Sequence, residues 1–356
     1  MSGRLAALRR LMRKEGISAL AVTDLRNVRY LTGFSGSAGG CLVTPRAAVF
    51  ITDFRYRSQA SRQVDKSFRR AEHNHPITGA AAEAKKRGVK VLAFEEGALS
   101  YSLFIRLKSE AKGIRLKPVG DIAGRLRLVK DKKELRLLRK GAKVNGKALG
   151  EIAKTIRPGV REEEVALALE VAMRRLGASG AAFDIIVASG PRGALPHGVA
   201  SGRKMKRGDL ITIDYGAVVD GYHADTTRVF SLGKPSRKGR EIYETVLRAQ
   251  VAAVGAVRPG ATGGEVDEAA RSVIRAAGYG KFFGHGTGHG VGLDIHEGPR
   301  VAPGVKDRLE PGMIVTVEPG IYLPRWGGVR VEDMVAVTEK GRENLTRSIS
   351  KDLAVL

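Results

Sequence analysis

Apolar and polar positions divide this chain into two textures. Up to about residue 125, short apolar runs alternate with stretches whose apolar residues recur every three or four positions. SALAVT, GCLVT, AAVFIT and KVLAF predict strands, and Leu5, Leu8, Leu11 and Met12 predict a first surface helix running straight into ISALAVTD. From Lys130 the segments lengthen. KDKKELRLLRKGAKVNGKALGEIAKTI predicts a long helix stopped at Arg157-Pro158-Gly159, and EEEVALALEVAMRRLGA predicts a second, after which strand-like runs dominate. The change of texture places a domain boundary near 120–130, with domains 1–125 and 126–356.

The second region repeats itself. IRPGVREEEVALALEVAMRRLGA has a counterpart about a hundred residues on, VRPGATGGEVDEAARSVIRAAG. Each copy runs into an apolar strand framed the same way, Gly208-DLITID and Gly312-MIVTVE. Two copies are too few for a solenoid and predict a duplicated, pseudo-symmetric domain with a cleft between its halves. The expected fold class is α/β (α+β).

Composition narrows the setting. The 356 residues exceed one comfortable core, and 43% hydrophobic with 28% charged residues describes a soluble globular protein. The single cysteine, Cys41, excludes an intrachain disulfide and fits a reducing, cytoplasmic setting. No run of about 18 apolar residues exists, so no membrane helix is expected. The basic N-terminus shares features with a mitochondrial presequence, but Arg9, Arg10 and Arg13 break the apolar core that a secretory signal needs. The net charge of +25 would attract anionic partners, yet it is dispersed and no nucleic-acid motif accompanies it. Neither a specific nucleic acid nor a membrane is expected as a partner.

The candidate chemistry lies in acids at the ends of apolar strands. Asp214 ends LITID and Glu318 ends IVTVE at the matching place in the repeat. Asp225 follows Asp214 by eleven residues, and Glu332 follows Glu318 by fourteen. A carboxylate on a buried strand costs several kcal/mol unless cations or donors compensate, and four together repel. A divalent metal removes both problems, and an oxygen-rich set with one imidazole suits manganese. The imidazole would come from FFGHGTGHGVGLDIHEGP, where His285, His289 and His296 stand among glycines too dense for a helix. One of the three would ligate and the others would hydrogen-bond substrate. His73 and His75, in EHNHP, are expected in a solvated loop.

Asp214, Asp225, His289, Glu318 and Glu332, in the contexts TIDYG, HADTTR, GHGTGHGVG, VEPGIY and VRVED, resemble the five metal ligands of the pita-bread metallopeptidases. That family includes methionine aminopeptidases, Xaa-Pro aminopeptidases (aminopeptidase P) and Xaa-Pro dipeptidases (prolidases). ALPHG and GHGTGHGVGLDIHEGP are close to signatures of the Xaa-Pro branch, and the likeness spans roughly 130 to 350. NVRYLTGFSGSAGGCLVT and FITDFRYRSQA are similar to the N-terminal domain of bacterial Xaa-Pro peptidases.

The resemblance implies a creatinase-type mixed-sheet domain followed by a pseudo-symmetric pita-bread catalytic domain. It implies two divalent ions, Mn2+ first with Co2+, Zn2+ or Fe2+ as alternatives. Asp214 would bind one ion, His289 and Glu318 the other, and Asp225 and Glu332 both. A hydroxide between the ions would attack the carbonyl preceding proline, with Glu318 shuttling the proton. His197 and His296 would face the scissile carbonyl and the prolyl end. His285 would line the proline pocket, and Arg330 would hold the acidic network or the substrate terminus. Proline-containing peptides or dipeptides as substrates and a homodimer are further implications. The motifs leave aminopeptidase and dipeptidase specificity open. A methionine-aminopeptidase-like enzyme and a basic binding protein on a non-catalytic scaffold are the alternatives, and the intact ligand set argues against the second.

Overall fold

The strand and helix signals resolve into elements in a computed structural model that describes residues 2–356. Met1, where the first amphipathic pattern begins, lies outside the described residues. The chain forms two compact units, one ending at Arg127 and the other spanning Leu128–Leu356. Among the described residues no helix is long and apolar enough to cross a membrane.

In the first unit the opening helix, Ser2–Lys14, buries Leu5, Leu8 and Met12, the stripe its spacing predicts. The four predicted strands appear as Leu20–Val22, Gly40–Val43, Ala48–Thr52 and Val91–Glu95. They are neighbours in one six-stranded mixed sheet, whose two edges, Arg69–Glu72 and Arg115–Val119, are polar and largely exposed. Ile77, Ala80, Ala81 and Ala84 of helix Pro76–Lys85 pack with Leu42, Val49, Ile51 and Leu92 of the sheet.

His73 and His75 are not in the solvated loop expected of them. His75 caps helix Pro76–Lys85, its Nδ1 accepting from the Ile77 N–H at 3.4 Å. His73 Nε2 lies 3.5 Å from Glu83, a buried carboxylate that also receives Arg69, Lys86 and Arg87. Burial pushes the Glu83 pKa up, but its basic neighbours outweigh that and bring it down to about 2.

The second unit is built twice. Helices Lys132–Ile152 and Glu162–Arg175 share a core with Ile211 and Ile213, and helices Arg237–Ala256 and Gly263–Ala276 share one with Val315 and Val317. The repeated RPG segments make the same backbone bonds in both halves. The Gly159 N–H donates to Met205 O and the Gly260 N–H to Leu309 O, each at about the same place beside the helix start (2.9 and 2.8 Å). Thr262 and Glu265 close a full capping box; at the matching place Arg161 cannot accept, and only the bond from its N–H to Glu164 remains. Gly208 (φ 88°) and Gly312 (φ 91°) turn the chain into the two acid-bearing strands through a left-handed conformation that a side chain would strain. The sequence repeat is therefore a structural duplication.

Candidate metal centre and active site

Each half delivers two acids to one place by pairing two strands antiparallel. Leu210–Tyr215 pairs with Thr226–Ser231, with Asp214 opposite Thr227, and Asp225 directly precedes the second strand. Ile314–Val317 pairs with Asp333–Thr338, with Val317 opposite Asp333, so that Glu318 and Glu332 flank the pairing as the chain leaves and re-enters. The same antiparallel pairing in both copies turns four acids that are distant in sequence into one cluster. His289 joins them from Gly288–Gly290, a short strand between Glu297–Val301 and Ile314–Val317. A Cβ on Gly288 would sit 2.0 Å from Thr316 O, so only glycine lets the histidine strand approach this closely.

Donor atoms of Asp225, His289 and Glu332 all lie within 4.8 Å of one another. His289 Nε2 is 3.3 Å from Glu318 and 3.7 Å from Asp225. Its Nδ1 lies 3.1 Å from Gly290 O, which places a proton on Nδ1 and makes Nε2 the nitrogen turned toward the acids. Asp214 Oδ1 and Glu332 Oε1 are buried and find no hydrogen-bond partner among the described residues. Burial, followed by the charges of the neighbouring acids, raises Asp225 and Glu332 well above the usual carboxylate range; burial also raises Asp214. Burial works against Glu318 too, but the His289 bond and charge outweigh it and hold that pKa at about 2. Crowded carboxylates, orphaned oxygens and one oriented imidazole fit hard or borderline divalent cations, whose charge reverses the repulsion.

The cluster opens into a cavity of about 650 Å³ whose lining includes Phe183, Ile186, His197, Ile295, His296 and Arg300. His197 and His296 are exposed at this wall, and the His296 ring packs edge-on against His289 with centroids 4.4 Å apart. Burial first, and the nearby His289 charge second, lower the His296 pKa.

His285 sits differently from the other two. Arg330 can only donate, so the Tyr322 oxygen accepts from it at 3.0 Å and the Tyr322 O–H points to His285 Nε2 at 2.9 Å. His285 Nδ1 then donates to Gly286 O at 2.7 Å. Both nitrogens are engaged within the protein, so His285 offers the cavity ring surface and not the substrate hydrogen bond expected of it. Burial lowers its pKa and favours this neutral form.

Arg330, 4% exposed, donates to Asp214 (2.5 Å), Thr227 (3.2 Å), Tyr322 and Pro196 O (3.0 Å each). Of the two expected roles, the geometry gives it the acidic network. Sequence reasoning missed Tyr322 and Thr227. Tyr322 links Arg330 to His285; Thr227 Oγ1 donates to Glu332 at 2.8 Å and accepts from Arg330. A tyrosine four residues after Glu318 and a threonine two after Asp225 carry no distinctive spacing signal. His223 lies outside the cluster, its Nδ1 3.2 Å from Gly292 O.

Residues 136–339 match the model of metallopeptidase family M24, and residues 4–129 match the creatinase/prolidase N-terminal domain. The chain is 39% identical to a Xaa-Pro dipeptidase of Pyrococcus furiosus, over 98% of this chain and 99% of the relative. Its fold superposes on a structure described as Xaa-Pro dipeptidase from Bacillus anthracis with a TM-score of 0.96 at 43% identity, covering 100% and 99% of the two chains. An X-Pro aminopeptidase from Thermotoga maritima superposes with a TM-score of 0.88 at 39% identity, covering 98% and 100%.

Proposed function

The chain belongs to metallopeptidase family M24, with a creatinase/prolidase N-terminal domain preceding the catalytic one, and from that premise we propose that it hydrolyses the bond preceding proline in Xaa-Pro dipeptides or at peptide N-termini. The observation that carries this reading is the convergence of Asp214, Asp225, His289, Glu318 and Glu332 beside one cavity, with two buried oxygens left without donors. Asp214 through Oδ1, together with Asp225, His289, Glu318 and Glu332, would hold two divalent ions, Mn2+ by preference for this oxygen-rich set. When bound, such ions supply Lewis acidity, making water acidic enough to attack at neutral pH and stabilising charge on the carbonyl oxygen.

The protein groups do the rest. Glu318, kept ionised, takes the proton of the attacking water and passes it to the prolyl nitrogen, which cannot leave as an anion. His197 and His296, on the cavity wall, donate to the carbonyl oxygen and hold the prolyl end. The ring faces of His285, Tyr322 and Phe183, with Ile186, offer an apolar surface to a pyrrolidine ring that brings no N–H to satisfy. Arg330 holds Asp214 and, through Tyr322, fixes the tautomer of His285. A homodimer in the cytoplasm completes the proposal.

The names of the P. furiosus and B. anthracis proteins favour the dipeptide. After chelation and return of Mn2+, Ala-Pro should be cut faster than Ala-Pro-Ala, and Ala-Ala hardly at all, in a steady-state assay of released amino acid. Preference for the tripeptide would make the protein an aminopeptidase. Failure to cut either peptide while metal is bound would overturn the specificity.

A further inference from the structure

Another buried carboxylate lies outside the set of metal-ligand candidates and is bonded to none of them. Glu162, the first residue of helix Glu162–Arg175, is 0% exposed. Its Oε1 accepts from the Ser189 N–H at 2.9 Å and the Ser189 hydroxyl at 2.7 Å. Its Oε2 accepts from the Ser201 hydroxyl at 2.7 Å, from the Ser201 N–H at 3.2 Å and from Arg192. Ser189 ends the strand Ile186–Ser189, and Ser201 closes the excursion that follows it. One side chain thus holds both ends of a segment whose middle carries His197.

The rest of that segment is tied to the same frame. Arg192 also donates to Val199 O at 2.8 Å, and Arg330 grips Pro196 O, the carbonyl just before His197. Gly193 packs so closely on Gly328 that a Cβ there would lie 2.9 Å from the Gly328 nitrogen. Among the described residues no protein hydrogen bond holds the exposed His197 ring, so its place over the cavity is inherited from its backbone. A buried carboxylate is costly unless fully satisfied, and here every donor comes from the segment to be held.

We infer that Glu162 is a positioning residue for the reaction, setting His197 against the substrate carbonyl by pinning Ser189, Arg192 and Ser201. This rests on the reading that His197 contacts the scissile peptide. The test is a double-mutant cycle on the full-length, Mn2+-loaded protein, with Ala-Pro and Ala-Pro-Ala as substrates. Glu162→Gln turns one acceptor into an amide that faces donors. It should lower kcat/KM about 10- to 100-fold, chiefly in kcat, through displacement on the ångström scale. In a His197→Ala background the same change should cost less than about 2-fold, because what it positions is gone. Metal content should be unchanged, and amide exchange over 189–201 should quicken while the strands Leu210–Tyr215 and Ile314–Val317 stay protected.

Should Glu162→Gln not fold, Ser201→Ala carries the cycle with a smaller loss, about 3- to 10-fold, again confined to proteins that retain His197. Equal losses in both backgrounds would make Glu162 a general structural group and overturn the inference, as would no loss in either. A His197→Ala protein as active as wild type would remove the premise and overturn it too. A wild-type protein that cuts neither peptide would instead strike the proposed function, and that is read before Glu162 is touched.

Discussion

Glu318→Gln is expected to lower kcat for Xaa-Pro hydrolysis by about 10²- to 10⁴-fold at saturating Mn2+, the range for loss of a proton-transfer group. The glutamine keeps an oxygen of the same reach toward the metal candidates. It loses the negative charge that His289, 3.3 Å away, helps hold at a pKa of about 2. It also loses the ability to receive a proton from water. Kinetics and bound-metal content should be measured on the same preparation. A fall in kcat with metal retained supports the proton role, whereas an unchanged kcat would sink it. A fall that tracks metal loss would reduce Glu318 to a ligand.

The second large effect is expected on stability. Arg330→Met should destabilise the metal-free protein by about 3–5 kcal/mol, the cost of stripping one partner from a buried charge pair. Asp214 would lose the cation that offsets its burial and would be left to protonate or to stand as an unpaired buried charge, and Tyr322 and Pro196 O would lose their donor. Mn2+ should restore a good part of the loss, because a cation beside Asp214 replaces the missing positive charge. Urea denaturation with and without Mn2+ reads both numbers. Equal destabilisation in the two conditions would mean that Arg330 and the metal do not share Asp214. Activity should fall as well, since Tyr322 loses the donor that fixes the direction of its bond to His285, and the His197 segment loses one anchor.

The parts of this protein that could be read from its sequence are those in which local pattern and tertiary role coincide. Asp214 and Glu318 were legible because each interrupts an apolar strand at the same point of a repeat, and the antiparallel pairing then brings Asp225 and Glu332 alongside. The glycine-lined histidines were legible as non-helical, and the close approach at Gly288 gives the reason. The central strands of the first unit announced themselves through buried Val, Ile, Leu and Phe. The edge strands RRAE and RLKPV did not, because an edge strand meets water and needs no apolar alternation.

Glu162 was illegible for another reason. Its partners Ser189, Arg192 and Ser201 lie 27 to 39 residues away and form no pattern with it. In sequence it is one of three consecutive glutamates in a helix's first turn, the ordinary place for an acid. His73 and His75 misled in the opposite direction, since a polar EHNHP run conceals a helix cap and a partner for Glu83.

Whether Asp214, Asp225, His289, Glu318 and Glu332 form a metal centre is decided by calorimetric titration of the chelator-stripped protein with Mn2+, on wild type and Asp225→Asn. About two ions are expected per wild-type chain, with peptidase activity that rises with occupancy and loss of tight binding in Asp225→Asn, whose carboxylate both ions would share. A wild-type chain that takes up no tightly bound ion, or one that cuts Ala-Pro at full rate in excess chelator, would contradict it.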